Sequence, residues 1–169
     1  MKLINKLKAG LIIGLILVTS LVQAAAMSDY LENKVIDWLL RGQTFTPPAT
    51  VYVALYTTCP TDSTAGTEVS GGSYARIAVT SSLANWAGTQ SAGSTAASSG
   101  TGGTTSNNAA ITAPTPTANW GTINCWGVLD ASTSGNLLFY SALTVSKTVN
   151  NGDAAPSFAI GAATFQIDN

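Results

Sequence analysis

Residues 50–80 place the tightest limit on what this chain can fold into. Val51, Val53 and Leu55 alternate with Tyr52, Ala54 and Tyr56, and Ala75, Ile77 and Val79 alternate with Tyr74, Arg76 and Ala78. Successive side chains of an extended strand point to opposite faces, so a period of two predicts strands here. Further short strands are expected at 109–113, 123–129, 137–143, 145–149, 158–160 and 163–167. Ser134-Gly135-Asn136 and Asn150-Asn151-Gly152-Asp153 read as hairpin turns, because Gly and Asn tolerate the positive φ such turns require. A single stretch has a helical period. Leu31, Val35, Trp38 and Leu39 recur at i, i+4, i+7 and i+8, which gathers them on one stripe. Ser28 can cap this helix, Asp29 and Glu32 suit its first turn, Arg41 its last, and Gly42 the left-handed position beyond. The fold expected is therefore mainly β, a β-sandwich or jelly-roll-like domain with one N-terminal α-helix. The stripe of Leu31, Val35, Trp38 and Leu39 is the candidate packing or interface face, against the β domain or a partner subunit.

At 169 residues the chain suits one domain. Residues 1–26 stand apart from it. Lys2, Lys6 and Lys8 precede an apolar run at 9–22 and then Ala24-Ala25-Ala26, the layout of a secretory signal. The run is shorter than the roughly 20 residues a membrane-crossing helix needs, so no stable membrane anchor is expected once the leader is removed. Met27-Ser28-Asp29-Tyr30 is also an ordinary domain start, which makes residues 1–26 either a signal-peptide-like leader or a start extension. Residues 27–169 form the single β-rich domain. Within it, 87–108 (AGTQSAGSTAASSGTGGTTSNN) is nearly all small and uncharged, and is expected to be a flexible Ser/Gly/Thr loop.

The available chemistry is narrow. The chain has no histidine, which removes imidazole bases, most zinc sites and a Ser-His-Asp arrangement. The leader holds three of the seven basic residues and none of the eight acidic ones, so four basic residues face eight acidic ones in the domain. Lys34, Arg41, Arg76 and Lys147 are scattered, and no nucleic-acid partner is expected. The carboxylates show no spacing of a glycosidase dyad. Asp62 and Glu68 share a polar loop but lack the graded ligand spacing of a calcium site. Gly100-Thr101-Gly102-Gly103 has neither the Lys nor the following helix of a phosphate cradle. No catalytic residue, metal or cofactor is expected.

Two features leave alternatives open. Ala84-Asn85-Trp86 before Gly88-Thr89 is echoed by Ala118-Asn119-Trp120 before Gly121-Thr122. Each Trp suits a core anchor, while two exposed rings would suit a sugar-stacking platform. Cys59 falls in a loop and Cys125 in an expected strand. They can be paired in a disulfide, or Cys125 can be a buried free thiol beside a partly exposed Cys59.

Taken in order, several motifs resemble a known family. They are Tyr30-Leu31-Glu32-Asn33-Lys34, Thr46-Pro47-Pro48 leading into Val51 to Thr58, and Gly71-Gly72-Ser73-Tyr74-Ala75-Arg76. Trp120-Gly121-Thr122, Gly135-Asn136-Leu137-Leu138-Phe139, Leu143, Lys147, Val149, Asn150 and Gly152-Asp153 follow. The segment 27–169 is similar to the small tail-fibre-type structural proteins of tailed bacteriophages. That resemblance implies a non-enzymatic virion component, a homo-oligomer in contact with other virion proteins, with attachment to a host-surface glycan as a further role. Secreted or periplasmic localisation would follow from a functional leader. A secreted carbohydrate-binding or adhesion module is the alternative, and a secreted hydrolase whose carboxylates converge in the fold is a third.

Overall fold

The protein is described by a computed structural model covering residues 25–88, 93–99 and 102–167. The basic and apolar parts of the expected leader lie outside these residues, as do 89–92, 100 and 101 of the expected loop.

Among the described residues, ten strands and one helix follow one another. They are β1 (Ala26–Met27), α1 (Asp29–Leu40), β2 (Thr50–Thr58), β3 (Thr67–Glu68), β4 (Ile77–Thr80) and β5 (Thr104–Ser106). After these come β6 (Ile111–Thr112), β7 (Gly121–Leu129), β8 (Leu137–Val149), β9 (Ser157–Phe158) and β10 (Thr164–Gln166). A six-stranded antiparallel sheet has the order β1-β8-β7-β2-β3, and β4 pairs with β2 as well. Two small ribbons, β5 with β10 and β6 with β9, form a second layer. The result is mainly β, a sandwich with one helix.

The alternation read in β2 divides its side chains between two cores. Val53 and Leu55 join the large core with Trp126, Val128, Phe165 and Ile111, while Ala54 and Tyr56 join Cys125 and Leu129 on the other face. On β7 the period breaks once. The pairing register with β8 shifts between Ile123 and Cys125, so Ile123 faces the same core as Trp126 and Val128 although an unbroken strand would turn it away. The ribbons close the large core with aromatic rings: Trp126 lies 4.7 Å from Phe165 and 5.1 Å from Phe158 between centroids.

The segments expected at 137–143 and 145–149 are one strand, β8, which the register shift bends without ending. The hairpin before it has positive φ at Ser134 and Gly135, with Asp130 accepting from the Asn136 amide at 2.7 Å. The expected loop 87–108 also differs at its end, where Thr104–Ser106 form β5 against β10. Next to it Asn107 is fully buried. Its Nδ2 donates to the carbonyls of Ala109 and Ala159, each at 2.8 Å, and its Oδ1 accepts from the Ala163 amide at 2.8 Å. A buried amide can be kept only when its donors and acceptor are paired, and here the pairing joins the β5–β6 and β9–β10 connections.

Both repeated Trp residues are core anchors. Trp120 is buried, donates from Nε1 to the Gly72 carbonyl at 2.9 Å and meets Tyr74 edge-on. Trp86 is half-buried against Phe165. Gly72 has φ +54°, and a Cβ there would sit 2.9 Å from Trp120 Nε1, so this turn accepts only glycine.

Candidate functional site

Helix α1 is fixed at its start and free at its end. Ser28 is its N-cap, accepting from the Leu31 amide and donating from Oγ to the Leu137 carbonyl, while its own amide reaches Leu138 O at 3.0 Å. The first turn is thereby bonded to the start of β8. Leu31 is buried and Val35 packs half-buried against the same core. Arg41, expected in the last turn, is the C-cap residue and bridges to Asp37 at 3.0 Å, with Gly42 beyond it at φ +67°.

The other half of the expected stripe has no cover among the described residues. Trp38 is 57% exposed and Leu39 66%. Ile36 and Leu40, off the stripe, are exposed too. Four large apolar side chains thus surround the last turn of a helix whose inner contacts end at Val35. The period-3.6 reading located the stripe but missed Ile36 and Leu40. Their i, i+4 spacing on the opposite side was the available signal, and it shows that the C-terminal half of α1 is apolar on more than one face.

A polar cleft lies between residues 68–76 and the turn at 132–134, with a volume of about 550 Å³. Arg76 lines it and holds it together. Its Nε and Nη2 donate to the two oxygens of Glu68 at 2.9 and 2.8 Å, and its Nη1 donates to the carbonyls of Ala131 and Ser134 at 2.8 and 2.6 Å. Tyr74 adds a bond to Glu68 Oε1 at 2.9 Å while accepting from the Leu55 amide. The bond to Glu68 raises the guanidinium pKa, and burial raises that of the Tyr74 phenol. With both charges committed to each other, the hydroxyl residues Ser70, Ser132, Thr133 and Ser134 line the cleft together with Val69, Gly71 and Ala75. The two non-glycine residues with positive φ among those described, Ser73 and Ser134, stand in the segments that form this cleft. Neither the cleft nor the ion pair was read from the sequence, because Glu68 lies in a polar loop and Arg76 in an alternating run, with a tight turn between them that no local period spans.

The remaining candidates fall as follows. Cys59 and Cys125 are joined in a disulfide with Cα atoms 5.2 Å apart, linking the chain after β2 to the middle of β7. Asp62 accepts from the Tyr140 hydroxyl and Glu68 is held by Arg76, so the two carboxylates considered for calcium serve different contacts. Among the described residues no group of His, Cys, Asp and Glu is arranged to hold a metal, and no helix is long and apolar enough to cross a membrane.

Residues 26–166 match the family described as Podophage GP4 fiber I protein gp80. The matched span opens in β1 and closes on the last residue of β10, so it takes in every strand of both layers. The chain is a phage structural protein of the tail-fibre type. It belongs to the podophage GP4 fiber I protein gp80 family. No curated protein matches it. Family membership supports a place in the virion beside other virion proteins.

Proposed function

We propose that the chain is a non-enzymatic fibre or particle-surface subunit of a tailed bacteriophage, acting through self-assembly and attachment to a surface. The observation that carries this reading is the uncovered apolar end of α1, formed by Ile36, Trp38, Leu39 and Leu40. Contiguous exposed apolar surface on a small domain marks an interaction site. Few charges remain to oppose close approach of copies. The test is immunogold electron microscopy of phage particles with an antibody to the domain, alongside light scattering of the purified chain. Label at a regular position on the particle, with discrete oligomers in solution, supports the reading. Unlabelled particles overturn it.

Residues 1–26 are either a cleaved leader, which would make the protein secreted or periplasmic, or a start extension. Ala25 is buried and Ala26 pairs with Tyr140, so a cut after Ala26 removes half of β1; this favours the extension. N-terminal sequencing of the protein from particles decides between them.

The polar cleft favours a second reading, a secreted carbohydrate-binding or adhesion module. Its hydroxyl-lined wall and rigid Arg76–Glu68 floor suit an uncharged polyhydroxyl ligand such as a host-surface glycan. A glycan screen tests it, with binding lost on Thr133→Trp as the supporting result.

A further inference from the structure

An apolar groove lies at the far end of β8 from the helix. Leu55 of β2, Ile77 of β4, Ile123 of β7, Val145 and Val149 of β8 and Phe158 of β9 line it. Its volume is about 290 Å³. A cavity of roughly 150 Å³ accepts a benzene ring, so this one has room for about two ring-sized groups. It opens where β8 bends outward opposite Asn124, and there Val145 is 79% exposed. Lys147 stands on its rim, exposed and without an ion-pair partner among the described residues.

The apolar end of α1 offers matching chemistry and a charge of opposite sign. Trp38 and Leu39 project as adjacent apolar groups, and Asp37 beside them carries the charge opposite to Lys147. The Asp37 carboxylate forms an ion pair with Arg41, a largely exposed pair of the kind that exchanges partners at little cost. The two features do not meet within one molecule: Trp38 and Leu39 are exposed and the groove is lined by no residue of α1, whose start Ser28 fixes to Leu137 and Leu138 while the groove is built on β8 from Leu143 onward.

We propose that the α1 end of one copy, led by Trp38 and Leu39, seats in the Val145–Phe158 groove of the next, joining subunits head to tail. This deepens the self-assembly reading above and rests on it. Because the two surfaces differ, the contact is heterologous. It builds a ring if the rotation closes and a filament if it does not.

The test uses the full chain in three forms, wild type, Leu39→Asp and Val145→Asp, followed by sedimentation velocity across a concentration series. Both substituted positions are exposed, and unchanged circular dichroism and melting confirm each fold. The wild type is expected to form closed rings or growing filaments, and each variant alone is expected to lose association by at least about tenfold in apparent Kd. An equimolar mixture of the variants retains one intact helix end and one intact groove, so it is expected to form a two-subunit complex and stop. Assembly of Val145→Asp like the wild type, or a mixture that stays monomeric, overturns the head-to-tail contact; the first outcome points to helix-to-helix pairing. A wild type that remains monomeric overturns it as well, while the immunogold experiment separately decides whether the protein is a particle component.

Discussion

Arg76 grips both carboxylate oxygens of Glu68, with Nε 2.9 Å from Oε1 and Nη2 2.8 Å from Oε2. The same guanidinium holds two carbonyls of the β7–β8 turn, so one side chain ties the segment before β4 to a hairpin more than fifty residues away. Glu68→Gln keeps the shape and removes the charge that compensates a largely buried guanidinium. Breaking one partner of a buried pair costs about 3–5 kcal/mol, and the partial exposure of Glu68 brings the expected loss toward about 2–3 kcal/mol. Urea unfolding measures it, and a loss below about 0.5 kcal/mol would mean the pair is solvated.

Alkaline pH should weaken the fold over a defined interval. Burial pushes the Tyr56 phenol from 10.0 up to about 12, with Glu68 adding to the rise, and Tyr74 is raised in the same direction. Below pH 10 these phenols are protonated in both folded and unfolded chains, so stability is not affected by them. Above it the unfolded chain ionises first, and stability falls as pH rises through about 12. Denaturant midpoints at pH 9 and pH 11 check this, and equal midpoints would contradict it.

The two halves of the α1 stripe should respond differently to truncation. Leu31 is buried and its replacement by Ala is expected to cost about 2–4 kcal/mol, while Trp38→Ala should change stability by less than about 1 kcal/mol because more than half of its surface already faces solvent. Thermal melts of the two variants side by side decide this. A large loss for Trp38→Ala would mean that the ring is covered in solution.

Asn107→Ala strips three side-chain hydrogen bonds from a fully buried position, leaving the Ala163 amide and two carbonyls without those partners. Unsatisfied buried groups cost about 1–3 kcal/mol each, less where water enters the space left behind, so a loss of about 3 kcal/mol is expected. Hydrogen exchange should show the effect first at Asn107 and Ala163, whose amides lie at this junction. Unchanged protection there would show that the network contributes little.

Reduction of Cys59–Cys125 reopens a loop spanning 66 positions of sequence. Loop-closure entropy for that span corresponds to about 4 kcal/mol. A denaturant midpoint unchanged by reductant would mean that the unfolded chain is not restrained by the bond.

What could be read beforehand followed from local patterns. β2 was legible because Val51 to Tyr56 alternate, and α1 because Ser28, Asp29 and Leu31 supply cap, dipole and period together. β5 was not, since Thr104, Thr105 and Ser106 carry no apolar pattern; they form a strand because β10 lies alongside them. β8 was read as two strands because its bend at 143–146 interrupts the alternation while the chain remains extended. The polar cleft depends on partners far apart in sequence, which no local period records. The exposed end of α1 lay half within the expected stripe, and only the structure separates the part that packs from the part that does not.

The attachment of α1 to β8 also decides how the domain bears load. A pull on the helix passes through Ser28 into the beginning of β8 and then runs along the strand's length. Antiparallel ladder bonds lie perpendicular to the strands, so β7 resists that pull in shear, with many bonds strained together instead of being peeled one by one. A load that reaches β8 through Ser28 and runs along the strand is therefore met by the β7 ladder in shear.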